Sequence, residues 1–202
     1  DRRARCCVTT WVCVSATREE AARLNAAGPR RDFTALAERL GATVIYRGEG
    51  ASRGLAARLF GPHVRQAWAT ARTVSSRDRV FADGEHIGIP LLLFLALQMK
   101  RPAVVQIGHL PGRWWKLRLL WLATRLGTMG TLLLHSRRQE QLVRGWLGPD
   151  WRARLIEYQV DTEFWTDDDR TPQARVVAVG SEQRDYEALL EAAEGLPASV
   201  LI

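Results

Sequence analysis

The chain has 202 residues, 47% of them hydrophobic, which suits one medium domain or one domain with a piece of another. That apolar content, with a modest net charge of +7, excludes a disordered chain. The charge is uneven: residues 1–99 carry +6, residues 100–154 carry eleven Lys/Arg against two Asp/Glu, and residues 155–202 carry −8, a break that marks a change of module near residue 155.

In chain order, Cys7–Val14 predicts the first strand. Arg2, Arg3 and Arg5 precede it, but Thr9 and Thr10 interrupt the apolar run and no stop-transfer segment follows, so no secretory leader is expected. Cys6, Cys7 and Cys13 form no CxxC, and His63, His86, His109 and His135 are scattered. Buried strand cysteines are therefore expected, and no metal site. Asp32–Leu40 predicts a helix, with Phe33, Leu36, Ala37 and Leu40 on one face and Gly41 as its stop. The strand Thr43–Tyr46, the helix Pro62–Thr73 and the strand Arg79–Ala82 follow. The apolar stretch Ile87–Met99 is too short to span a bilayer and predicts a buried helix over Ile89–Lys100, with Pro90 in its first turn. Ala103–Ile107, Thr131–Leu134 and Arg154–Tyr158 read as strands, separated by helices over Trp114–Leu126 and Arg137–Leu147. The polar stretch over residues 166–174 reads as a linker. Beyond it come a strand Arg175–Val179, a helix Tyr186–Glu194 and a strand Ser199–Ile202. Short apolar strands alternating with helices predict an α/β fold with a Rossmann-like open parallel sheet. The expected organisation is a domain over 1–165, a linker over 166–174, and the start of a second lobe over 175–202.

In such sheets ligands sit outside the carboxyl ends of the strands, and four strand ends carry polar residues. Asp83-Gly84-Glu85-His86 has acids that suit sugar hydroxyls, or equally a turn followed by a helix cap. Gly108-His109 brings the backbone close to a ligand and offers an imidazole to a phosphate or hydroxyl; a structural histidine fits as well. His135-Ser136-Arg137-Arg138 follows Thr131–Leu134, and Ser136 is placed to cap the helix that begins with Arg137 and Arg138. Cations there oppose the helix dipole, which an anion would relieve, and a solvated basic surface is the alternative. Gly180 precedes Ser181–Tyr186 at a strand end before a helix, a recurring phosphate-binding arrangement. The chain has no GxGxxG and no GxxxxGK[ST], which disfavours dinucleotide and P-loop chemistry. Asp167-Asp168-Asp169 reads as a solvated charge run, not a metal site. Trp114–Leu126 mixes tryptophan, leucine and basic residues, which suits a core helix or a peripheral contact with a membrane. Scattered arginines without a recognition helix make nucleic acid an unexpected partner.

The stretch Arg154-Leu155-Ile156-Glu157-Tyr158-Gln159-Val160-Asp161-Thr162-Glu163-Phe164-Trp165 resembles the interdomain signature of family-four glycosyltransferases, in which a strand leads into Gly-Val-Asp-Thr-aromatic before a linker. Val177-Ala178-Val179-Gly180 with Arg184-Asp185-Tyr186 resembles the opening of that family's nucleotide-sugar domain. Ser136-Arg137-Arg138-Gln139, and Asp83-Gly84-Glu85 with Gly88-Ile89-Pro90, fit its acceptor domain. The similarity spans about residues 30–202. The resemblance implies a GT-B enzyme, built from two Rossmann-like domains, that moves a sugar from a nucleotide diphosphate to a glycan, lipid or small-molecule acceptor without a metal or other cofactor. It implies that Gly180 and Arg184 meet the donor diphosphate, that His109 faces the transferred sugar, and that Asp83, Glu85, Ser136 and Arg137 lie on the acceptor side. Gln159 replaces the usual glycine, no glycine-rich loop follows the first strand, and the chain ends before the family's two-glutamate motif. The expectation is therefore a fragment with little transfer of its own. The competing expectation is a non-catalytic basic module that binds an anionic membrane surface or an acidic glycan. For the first, a cytoplasmic location is expected, with peripheral contact at the inner membrane face through Trp114–Leu126.

Overall fold

The computed structural model describes residues 8–49, 61–109, 111–128, 130–148, 152–166, 174–179 and 185–202. The chain divides into two compact units, with the boundary between Trp165 and Thr166.

The first unit is an α/β domain built on a six-stranded, wholly parallel sheet. Its strands are β1 (Thr10–Cys13), β2 (Thr43–Ile45), β3 (Arg79–Ala82), β4 (Ala103–Gly108), β5 (Thr131–Leu134) and β6 (Ala153–Leu155). Their spatial order is β2-β1-β3-β4-β5-β6, the Rossmann-like open sheet that the alternating pattern predicts. From β1 the chain steps one way to β2, then returns past β1 to β3 and continues outward. Right-handed crossovers therefore put the helices of the first step on one face and those of the later steps on the other. Alternation along β1 shows this directly. Val12 and Val14 pack with Ala21, Phe33 and Ala37 of α1 (Arg18–Ala27) and α2 (Asp32–Leu40). Cys13 points the other way, into the larger core with Ala67 and Ala71 of α3 (Pro62–Thr73) and Ile87, Leu91 and Leu95 of α4 (Glu85–Leu97). Helices α5 (Trp114–Arg125) and α6 (Arg137–Leu147) complete that layer through Leu117, Leu120, Ala123 and Val143.

Helix α4 is apolar nearly all round because it lies in the middle of this layer, packed against both α3 and α5. It begins at Glu85, four residues before the expected start, because Gly84 leaves β3 in an extended conformation and serves as its N-cap. Pro90 thus sits inside the helix, not in its first turn, and His86 O receives no amide from it. Helix α1 is absent from the expected elements. A reciprocal cap starts it: Glu20 N donates to Thr17 Oγ1 (3.1 Å) and Thr17 N donates to Glu20 Oε2 (2.8 Å). Ser136, expected to cap α6, makes no side-chain cap bond there.

The second unit contributes two parallel strands, β7 (Arg175–Val177) and β8 (Ser199–Leu201), joined through α7 (Tyr186–Ala193) and, among the described residues, paired only with each other. Asp185 caps α7 by accepting from Ala188 N at 3.0 Å.

Asp78 pins the amino edge of the sheet. Its carboxylate accepts from Ser75 N (2.7 Å), Thr9 N (3.2 Å) and Trp11 Nε1 (3.4 Å), joining β1 to the turn before β3. Burial pushes its pKa up, but these hydrogen bonds outweigh burial and hold it below the usual value. Such a depressed group stabilises the fold above the ordinary carboxylate range, and that stability is lost as pH falls through its folded pKa. Asp78→Ala is expected to lower unfolding free energy by about 1–3 kcal/mol at neutral pH. Urea melts should show the difference shrinking in acid.

Candidate functional site

The winding reverses between β1 and β3, the switch point at which open α/β sheets bind ligands. Two side chains stitch the carboxyl edge there. Gln66 of α3 donates through Nε2 to Val14 O (2.9 Å) and Ile45 O (2.8 Å), tying β1 to β2. Asp83, the residue after β3, accepts from Ser15 N (2.6 Å) and Ser15 Oγ (2.7 Å) with one oxygen, tying β3 to β1. Its other oxygen, Oδ1, is buried with no hydrogen-bond partner. Burial pushes the Asp83 pKa above the usual carboxylate value, against the lowering effect of the Ser15 bonds.

Next along the edge is His109, at the end of β4, and the protein holds it at three points. Its amide donates to Glu85 Oε2 (2.8 Å), its carbonyl accepts from Gln139 Nε2 of α6 (2.9 Å), and its ring Nε2 meets Asp83 O (3.1 Å). A carbonyl can only accept, so Nε2 carries a proton, and in the neutral ring Nδ1 is left as an acceptor. The His109 ring stacks at 6.3 Å on His135, at the end of β5, and His135 stacks at 4.0 Å on Tyr158, beyond β6. Three neighbouring strand ends thus present a row of rings.

A cleft of about 460 Å³ opens over this edge, its walls including Ser15, Arg30, Arg31, Asp83, His109, His135 and Tyr158. The arginines come from the turn between α1 and α2. Asp161 holds that turn by accepting from Arg30 N at 2.8 Å, while also accepting from Glu163 N and Phe164 N. The Arg30 bond, chief among these, keeps the Asp161 carboxyl below its usual value. Gln159 donates to Glu157 O (2.9 Å) and also lines the cleft. A second, more apolar cavity of about 560 Å³ shares Arg30, Ile107 and Asp161 with the first and runs over Phe81, Leu133 and Ile156 on the sheet face.

The expected site residues separate into groups. Asp83 and His109 come together in the cleft. Glu85 sits behind it, buried, with Oε1 ion-paired to Lys116 Nζ of α5 at 2.6 Å and Oε2 on the His109 amide. Both oxygens are engaged by the protein, so its place is to position His109. Ser136 and Arg137 are not among the residues lining the cleft. Gly180, Arg184 and Asp167–Asp169 lie outside the described residues. Ser15, Arg30, Arg31 and Tyr158 were not expected, and His135 was expected at its strand end without a ligand role of its own. Ser15 and His135 were within reach of the strand-end rule; the arginines arrive through a long-range hydrogen bond that no local pattern encodes.

The start of α1 offers no open anion site. Its cap is closed by Thr17 and Glu20, and Glu20 also takes Arg47 Nη2 at 2.7 Å. This agrees with the missing glycine-rich loop and argues against a diphosphate at that helix. Cys13 is buried against Thr70, and burial pushes its thiol up to about 12, so it is no thiolate ligand at neutral pH. Among the described residues, no group of three or more His, Cys, Asp or Glu is placed to hold a metal ion.

No protein-family model, no curated protein and no solved structure matches the chain.

Side-chain exposures of 4% for Glu85 and 12% for Lys116 make theirs a buried pair. Removing one partner strands a charge. Glu85→Ala is expected to cost about 3–5 kcal/mol. The double replacement Glu85→Leu with Lys116→Met should recover most of that loss in chemical denaturation.

Proposed function

We propose that the first unit is the acceptor-side half of a glycosyltransferase that moves a sugar from a nucleotide-diphosphate donor. The observation that carries this reading is the cleft at the switch point. It combines Asp83 in its wall, the ring of His109, two arginines and a row of stacked rings. Carboxylates and imidazoles bind sugar hydroxyls, and flat rings suit the C–H faces of a pyranose. The closed cap of α1 and the missing GxGxxG speak against a dinucleotide in the same place.

In this reading the cleft seats the acceptor and His109 faces the sugar in transit. An acceptor hydroxyl oxygen bonds to the anomeric carbon and passes its proton to a base, for which His109 Nδ1 is proposed, as that carbon's bond to the phosphate oxygen breaks and the nucleoside diphosphate departs. The departing diphosphate gains charge, which Arg184 and the backbone at Gly180 are proposed to meet on the donor side. The second unit's β7, α7 and β8 are proposed as the opening of that donor lobe.

The test is an NMR titration with methyl glycosides. Asp83→Asn and His109→Ala should each weaken binding of the best glycoside about tenfold, the loss of a charge-assisted or neutral hydrogen bond. Because burial raises the Asp83 pKa, binding should weaken as pH falls, with a midpoint above that of an ordinary aspartate. Asp83→Asn should abolish this acid limb. Glycosides that ignore both substitutions would remove the cleft from the proposal.

A further inference from the structure

The outer face of α5 is not needed to hold the helix in place. Leu117, Leu120 and Ala123 on its inner side are buried in the core and already anchor it. Yet Trp114, Trp115 and Trp121 are 60%, 44% and 47% exposed, an unusual concentration for so large an apolar side chain. At about 100° per residue, these three with Arg118, Leu122 and Arg125 fall within one arc of about 120°. The helix, Trp-Trp-Lys-Leu-Arg-Leu-Leu-Trp-Leu-Ala-Thr-Arg, contains no acidic residue. Arg118 lies over the Trp114 ring at 4.6 Å and Arg125 over the Trp121 ring at 5.0 Å. Helix α6 packs against α5 and also exposes Leu142 and Trp146, the latter 52% exposed, together with Arg138.

We infer that this face docks on an anionic phospholipid bilayer, with α5 lying along the headgroup layer. Three features favour a bilayer over a protein partner. First, the cations are interleaved with the rings and stacked on them, not set around a rim. A protein partner would have to bury them, whereas headgroups leave them hydrated beside phosphate. Second, the surrounding stretch, residues 100–154, carries eleven Lys/Arg against two Asp/Glu, the sign that an anionic leaflet attracts. Third, tryptophan and arginine on one helix face is the composition of helices that lie in the interface. Among the described residues no helix is long and apolar enough to cross a membrane, so attachment by these helices is peripheral. Lys116, on the inner side of α5, holds Glu85 behind the cleft, so the docking helix and the site share one ion pair. The inference does not rest on which ligand the cleft takes.

The experiment is co-sedimentation of the intact chain with two vesicle types: pure phosphatidylcholine, and phosphatidylcholine with about a third phosphatidylglycerol. The chain should bind the anionic vesicles, with tryptophan emission shifting to the blue, and should release as salt rises. Trp114→Ala with Trp121→Ala, and separately Arg118→Glu with Arg125→Glu, should each reduce partitioning about tenfold or more. Both pairs are exposed, and each variant is to be checked for folding by circular dichroism. Glycoside binding in the cleft should be unchanged, which separates this test from that of the cleft. No binding to anionic vesicles would overturn the inference. So would equal binding to neutral ones, or binding indifferent to both variants. Saturable association with another protein in place of vesicles would overturn it in favour of a protein interface.

Discussion

Asp83 divides its carboxylate between two tasks. One oxygen accepts both the amide and the hydroxyl of Ser15 and so closes β1 onto β3 where the sheet reverses its winding. The other is buried without a partner. A half-satisfied buried carboxylate is costly, and this one lies at the switch point of the sheet. The rest of the edge is arranged around it. The Asp83 carbonyl orients the His109 ring, Glu85 fixes the His109 backbone, and Lys116 neutralises Glu85. A chain of contacts therefore runs from β1 to α5 through one carboxylate, one imidazole and one ion pair.

This arrangement explains why the cleft is polar on one side and apolar on the other. Strand ends can present backbone groups and short polar side chains, because the sheet's hydrogen bonding stops there. The sheet face below, at Phe81, Ile107 and Leu133, stays apolar. The loop carrying Arg30 and Arg31 is drawn over the edge by Asp161, from the segment that follows β6. Positive charge is thus brought to the site by a residue 131 positions away in sequence.

The architecture was legible because the strands of a sheet covered on both faces are short continuous apolar runs. Arg79–Ala82 and Thr131–Leu134 appear in the structure with the expected bounds, as do the helices Asp32–Leu40, Pro62–Thr73 and Arg137–Leu147. The misses have physical causes. Helix α1 has few apolar residues in Arg-Glu-Glu-Ala-Ala-Arg-Leu-Asn-Ala-Ala, so periodicity is weak, although its Thr17–Glu20 cap was readable. Pro90 looked like a helix start, but the apolar packing of α4 carries the helix through it. The final strand of the sheet was expected to reach Tyr158, yet β6 pairs on one side only and its ladder ends where Leu134 meets Leu155. Within the site, the strand-end rule reached Asp83 and His109. It did not reach Arg30 and Arg31, which tertiary contacts bring in.

The account's central claim is that a hydroxyl-rich ligand binds at this edge, against Asp83 and the His109 ring. The chain's four histidines form two pairs that can report on it. His109 and His135 stack at the cleft, while His63 and His86 contact each other at 4.4 Å and do not line it. Long-range proton–nitrogen spectra of the imidazoles during a glycoside titration give the most direct reading. The account predicts that the His109 and His135 nitrogens move in saturable fashion while those of His63 and His86 hold still. Stationary His109 and His135 signals, or saturable shifts confined to His63 and His86, would contradict it.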